Sequence, residues 1–325
     1  MPITSVSKDP ESLTMTVVAE FDATRERLWE AYTDPRQIEK FWGPVEWPAT
    51  FTRHDVFPGG RSHYYMTGPD GQQSGGVWEF LAVDPGHSFE VRDAFADGEG
   101  NENTDMPSMR MTFVFEEREG GSRMTTTTWF GSAEQLEQLL AMGMEEGMAS
   151  AMSQIDDVLA DLASFAAGKG ADLQVLSDTQ IRVSRVIRGS VEQVWRAHHE
   201  PELLKRWLLG PDGWTMTVAE PAVSVGDTFR QEWAPNEGVE GEPFGFTGEL
   251  LEVDAPFREV TTEQMIGIEG EPSINELTLT PHTDGALLTL VITYPSSEVR
   301  DMVVSTGMVD GMEASYARLE REVLA

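Results

Sequence analysis

The chain repeats itself, and that repeat constrains the fold more than any other feature. The segment around Trp29 returns around Trp195, with Ala31 on Ala197, Asp34 on Glu200, Pro35 on Pro201 and Phe41 on Trp207. After one inserted residue, Gly43-Pro44 falls on Gly210-Pro211 and Trp47 on Trp214. Further on, WEFLAVDP aligns with GELLEVDAP, which places Glu79 on Glu249 and Asp84 on Asp254. Near the end of each copy, GMEEGM (Gly143 to Met148) matches GMVDGM (Gly307 to Met312). The offset stays between 164 and 170 along the whole chain, a register that chance does not hold. A chain of 325 residues is also long enough for two separate cores. The expected organisation is therefore two domains, 1–165 and 175–325, joined by the small-residue linker Ala166 to Gln174.

Each copy has the pattern of an α+β domain. Alternation over Leu13 to Phe21 predicts a strand. Thr24 can cap a short helix carrying Leu28, Trp29 and Tyr32, and Asp34-Pro35 stops it and starts a second. From Trp47 to Phe130 come six strand-like runs. They are separated by Pro58-Gly59-Gly60, Pro69-Asp70-Gly71, Asp84-Pro85-Gly86, a polar loop from Asp97 to Asp105, and Gly120-Gly121. The period then changes to three and four through Leu136, Leu140, Met144, Met148, Ala151, Ile155, Leu159 and Leu162, which predicts one long helix. The second copy repeats the scheme, with a strand at Thr179–Ile187, a helix pair within Ser190–Leu208, strands to Tyr294 and a closing helix from about Ser297.

Several function classes are disfavoured by composition. Lys plus Arg number 23 against 56 Asp plus Glu, a net charge of −33 shared between the halves as −18 and −15. A surface this negative repels phosphate backbones and anionic lipid, so neither nucleic acid nor membrane is an expected partner. The densest basic cluster is Arg182, Arg185 and Arg188. No apolar run approaches the roughly 18 to 20 residues that span a bilayer. Met1 to Asp9 lacks the pattern of a signal peptide. With no cysteine there are no disulfides or thiolate sites, which fits a cytoplasmic location.

The motifs LWEAYTDPRQIEKFWGP, DVFPGG, GGVWEFLAVDP and GMEEGM resemble the bacterial AHSA-type family, relatives of the activator of heat-shock-protein ATPase within the START-like (SRPBCC) superfamily. The resemblance covers both copies. It implies two tandem helix-grip domains, each a curved antiparallel sheet with two short helices and a long C-terminal helix. It also implies a hydrophobic cavity between sheet and helix, in a family whose members mostly bind apolar small molecules. Met148 and Met312 stand where that family usually has Trp, which predicts softer, wider pockets.

The candidate cavity-lining residues in the first copy are Trp42, Trp47, Tyr65, Trp78, Glu79, Trp129, Gly143, Met144, Gly147 and Met148. In the second they are Trp207, Trp214, Trp233, Phe246, Glu249, Tyr294, Gly307, Met308, Gly311 and Met312. The aromatics suit a mostly apolar pocket, although ordinary core packing accounts equally well for about half of such positions. Glu79 and Glu249 sit within apolar strands and either face water or serve as polar anchors. Glycines four apart lie on one helical face, and each costs roughly 1 kcal/mol relative to Ala, so fraying, close packing or space for a ligand must explain them. His54 and His63 flank one hairpin with Asp55 between them, but a metal site needs three or four converging ligands and the second copy has none there. No metal, cofactor or catalytic constellation is expected. The expected function is binding of an apolar or aromatic metabolite, with one cavity per domain. The alternatives are a polyketide aromatase/cyclase-like enzyme and a protein-binding accessory like the chaperone-ATPase activators.

Overall fold

The computed structural model describes residues 2–97 and 100–325; of the polar loop expected at Asp97 to Asp105, residues 98 and 99 lie outside the described residues. The chain divides into two compact units, Met1–Ala163 and Ser164–Ala325.

The first unit opens with strands β1 (Ile3–Asp9) and β2 (Thr14–Phe21) and helices α1 (Arg25–Thr33) and α2 (Pro35–Ile38). Thr24 accepts a hydrogen bond from the Arg27 amide to start α1, and Asp34 accepts from the Arg36 amide to start α2 with Pro35 in the first turn. Strands β3 (Ala49–His54), β4 (Arg61–Thr67), β5 (Gln73–Asp84), β6 (Ser88–Ala96), β7 (Met109–Arg118) and β8 (Gly121–Trp129) follow. Helices α3 (Ala133–Ala141), α4 (Met144–Ser153) and α5 (Ile155–Ala160) come last, and α6 (Leu162–Ala167) runs across the division at Ala163. The second unit repeats the plan with β9 (Asp172–Val175), β10 (Gln180–Ile187), α7 (Val191–His199), α8 (Pro201–Trp207), β11 (Trp214–Glu220), β12 (Thr228–Pro235), β13 (Phe244–Asp254), β14 (Arg258–Met265), β15 (Ser273–His282), β16 (Gly285–Thr293), α9 (Ser297–Ser305) and α10 (Met308–Glu322). Ser190 and Gln193 form a reciprocal cap on α7.

Both sheets have eight antiparallel strands in one topology, β1-β2-β8-β7-β6-β5-β4-β3 and its counterpart β9-β10-β16-β15-β14-β13-β12-β11. Even the irregularities recur, with bulges at Phe80/Ala82 and Leu250/Glu252 and at Phe51/Arg53 and Met216/Val218.

Two parts of the expected architecture are corrected. The sheets are not curved round and closed on a helix. Each is open, with β1 and β3, or β9 and β11, at its two edges. An eighth strand is also present: β1 adds beyond β2 but is exposed along nearly its whole length, so it extends the sheet without burying a face. The second correction concerns the closing helix, which is interrupted in both copies. Gly143 separates α3 from α4 with φ +87°, and Gly307 separates α9 from α10 with φ +77°. That left-handed backbone suits glycine and ends the preceding helix.

The two glycines of each pair therefore have different roles. Replacing Gly143 or Gly307 with alanine is expected to lower stability by about 1 kcal/mol, because the left-handed backbone penalises a Cβ. Gly147 and Gly311 lie inside helices, and a Cβ on either would meet nothing within 4 Å. Alanine there is expected to raise stability by about 0.5 to 1 kcal/mol. Urea unfolding of the four single variants checks the split, and equal signs at both members of a pair would contradict it.

Candidate functional site

The inner face of the first sheet is dense with aromatic side chains. Trp78, Phe80, Phe89, Phe113 and Phe115 are almost wholly buried and pack with Trp29 and Tyr32 of α1 and with Phe41 in the turn after α2. Rings meet mostly edge to face, as in Trp29–Phe115 at 5.3 Å and Trp42–Trp78 at 4.8 Å between centroids. Packing stops short of the α4 end of the core. There a cavity of about 220 Å³ remains. Its sheet side is Tyr64, Met66, Asp93, Met109, Met111, Phe113 and Thr126. Tyr32 and the Phe41–Pro44 segment form a wall, and Met144, Gly147, Met148, Ala151, Met152 and Ile155 close it from α4 and α5. Gln154 donates from Nε2 to the Gly43 carbonyl at 3.0 Å, tying the end of α4 to that wall.

Asp93 is the one ionisable carboxylate in this lining. On β6 the residues Phe89, Val91 and Asp93 follow each other at spacing two, so the strand turns Asp93 to the same inner face as its apolar neighbours. The Trp78 indole donates to Asp93 Oδ1 at 2.8 Å, and the Tyr64 hydroxyl, itself paired with Trp42, is a second partner. The carboxyl keeps some exposed surface because the cavity reaches it, yet protein surrounds it on every other side. Burial dominates and pushes Asp93 up to about 6, against hydrogen bonds from Trp78 and Tyr64 and the charge of Arg92, which all act downward. Thr126 adds a second polar atom, a buried Oγ1 with no hydrogen-bond partner among the described residues.

The expected site residues fall into several groups. Trp42, Met144, Gly147 and Met148 line the cavity. Trp78 is fully buried behind the lining, where it packs on Trp42 and donates to Asp93. Gly143 is the hinge residue before α4. Trp47, Tyr65 and Trp129 are half-buried outside the lining, with the Arg110 guanidinium 4.6 Å above the Trp129 ring. Glu79 is exposed and paired with Arg92 at 3.3 Å, and Glu249 is exposed. In the second unit Trp207 and Trp233 are buried, with indoles donating to the Ala197 and Leu208 carbonyls at 2.9 and 2.7 Å. Trp214, Phe246, Met308 and Met312 are half-buried, Tyr294 is buried, and Gly307 and Gly311 are exposed. His54 is held by Ser62 Oγ at 2.7 Å and the Tyr32 carbonyl at 3.0 Å, and His63 by Thr52 Oγ1 at 2.7 Å.

Sequence reasoning passed over Asp93. The available signal was the alternation Phe89, Val91, Asp93, which puts a carboxylate on an apolar face. Glu79 is kept by the repeat, but it lies on the opposite face of its strand from Trp78.

No helix among the described residues is long and apolar enough to cross a membrane. No curated protein matches the chain. Among solved structures, a Mycobacterium smegmatis protein is 49% identical, covering 49% of this chain and 98% of its own, with TM-score 0.47. An Arthrobacter aurescens protein is 44% identical over 49% of this chain and 92% of its own, with TM-score 0.47. A Rhodobacter sphaeroides protein is 29% identical over 46% and 95%, with TM-score 0.43. The family described as Activator of Hsp90 ATPase homolog 1-like protein matches twice, over residues 22–160 and 188–323, so the chain belongs to that family, within the SRPBCC superfamily, as a tandem pair.

Proposed function

We propose that the first unit binds a small apolar molecule that carries a hydrogen-bond donor. One observation carries the reading: a cavity of about 220 Å³ walled by methionine and aromatic side chains, with a single carboxylate, Asp93, on its wall. Pockets for small ligands are mostly apolar with few polar groups that fix orientation. The methionines Met66, Met109, Met111, Met144, Met148 and Met152 give the wall an adaptable surface. A phenol or alcohol could donate to Asp93 while its body fills the apolar space. Membership in a superfamily of small-molecule binders supports the same reading.

Gly147 provides the test, because it lines the cavity and a Cβ there meets no atom within 4 Å. Leucine at this position should occupy the ligand space without pushing on the fold. Gly147→Leu is expected to melt within about 2 °C of the parent. It is also expected to lose the saturable binding of naphthol, followed by its fluorescence. Undiminished naphthol binding in a normally folded variant would remove this cavity from consideration.

A further inference from the structure

The second unit places a carboxylate where the first has Asp93. On β6, Asp93 pairs across from Trp78 of β5. On β14, the register between the pairs Thr247–Gln264 and Leu250–Thr261 sets Glu263 across from Gly248 of β13, and Gly248 holds the repeat position of Trp78. Neighbours at spacing two confirm the face: Glu259, four residues before Glu263, reaches His199 of α7 at 3.0 Å, so this side of β14 is the helix side.

The surroundings of the two carboxylates differ. Gly248 has no indole to offer, and a Cβ there would lie 1.7 Å from the Thr262 carbonyl oxygen, so no larger residue fits without moving backbone. Glu263 has Asn275 as its hydrogen-bond partner, and no cation is among the groups that shift it; burial raises its pKa. The Asn275 amide spends its N–H on Glu263, while its Oδ1 is buried with no partner among the described residues. Tyr294 is close enough to feel the Glu263 charge, and among the described residues its hydroxyl has only the Met308 sulfur, at 3.7 Å, as acceptor. These three groups border an apolar cluster in which Ile292 and Tyr294 pack against Val303, Val304, Met308 and Met312 of α9 and α10. Among the described residues, acceptor capacity thus exceeds donors at the border of an apolar cluster, and none of the groups acting on the half-buried Glu263 carboxylate is a cation. Acceptors in that state suit a group that brings several N–H donors and a positive charge.

We propose that the second unit holds a separate site, built on Glu263, Asn275 and Tyr294, for an organic ammonium ion with an apolar body. It goes beyond the first-unit reading and does not depend on it. Glu263 pairs with the ammonium charge, Asn275 Oδ1 accepts a second N–H, and the apolar body lies against Met308 and Met312.

The probe is naphthylmethylamine, titrated calorimetrically in about 0.5 M salt so that the acidic surface is screened. The Gly147→Leu chain is used, so the first-unit cavity is filled. The amine is expected to bind at one site per chain, at least about tenfold more tightly than naphthylmethanol, the difference expected for a charge-assisted hydrogen bond. Glu263→Gln should lose at least that factor, while Glu249→Gln on the exposed face should change nothing. Glu263→Asp keeps the charge on a shorter arm and should bind with intermediate strength, which separates loss of the anchor from loss of the fold. Equal affinity for amine and alcohol, unchanged binding in Glu263→Gln, or binding that exists in the parent but vanishes in Gly147→Leu would each overturn the proposal. The last result would move the amine to the first unit, and loss of naphthol binding alone would leave this site standing.

Discussion

Replacing Glu320 with alanine is expected to cost the second unit about 2 to 3 kcal/mol. Glu320 is 9% exposed and lies against Arg185, itself 6% exposed. Its carboxylate accepts from Arg185 Nη1 at 3.0 Å, from the Arg188 amide at 2.9 Å and from Arg188 Nη2 at 2.9 Å, so one side chain joins α10 to the end of β10. Removing it strands part of a buried guanidinium. The loss is moderated because Glu313 still holds Arg185 Nε and Nη2, at 2.9 and 3.1 Å. Hydrogen–deuterium exchange should show faster labelling of β10 and α10 in the full chain, with the first unit unchanged. Slow exchange in β10 of the variant would show that the network contributes little. The same network has a pH signature. Burial acts to raise Glu320, but hydrogen bonds from Arg185 and Arg188 outweigh it and hold the group below its ordinary 4.5; Glu313 is lowered chiefly by Arg185. A carboxylate held low contributes stability that is complete above its unfolded value and is lost as pH falls through the folded one. In Glu320→Ala the loss of stability below about pH 4.5 should therefore be shallower.

Asp93→Asn should do the reverse and stabilise the first unit at neutral pH. The native group titrates near 6 in the folded chain and near 3.8 when free of it. The folded state therefore holds the proton more tightly, and stability declines as pH rises from about 4 to 6, then stays level. A shift of that size corresponds to about 3 kcal/mol, and contact with the cavity reduces it to about 1 to 3. Asparagine keeps an acceptor for the Trp78 indole and removes the charge. Urea unfolding should show a gain at pH 7.5 and almost none at pH 4, whereas equal stability at both would mean that Asp93 is well solvated. The same variant should weaken naphthol binding, a trade of function against stability that is common at binding sites.

Much of this architecture is legible in the sequence because local chemistry and tertiary packing agree. Thr24, Asp34-Pro35 and Ser190 start helices where capping chemistry requires, and the repeat transfers each assignment from one copy to the other. Elements with no buried face were not legible. The alternation of β1 has no apolar side to announce it, and β9 falls at the end of a stretch whose small residues suggest a linker. Gly143 and Gly147 look equivalent in sequence, yet one takes a left-handed backbone that only the surrounding chain path selects. In the cavity region, the distinction between filler and lining depended on depth: Trp42 touches the space and Trp78 does not, although both are tryptophans on the inner side. A depth that arises from the packing of eight strands is not encoded in any local period.

If the first unit binds a guest as proposed, the interruption at Gly143 would set how the cavity exchanges it. An unbroken helix from Ala133 to Ser153 could move off the sheet only as one rigid rod, dragging the buried Leu136 and Leu139 with it. With a swivel at Gly143, the ten residues of α4 can tilt while α3 stays seated. Only Met152 among those ten is fully buried, and the Gln154–Gly43 bond is the latch at the far end. Admission of the proposed guest would then require a sub-global opening far cheaper than unfolding the unit, and its residence time would follow one short helical segment rather than the stability of the whole sheet.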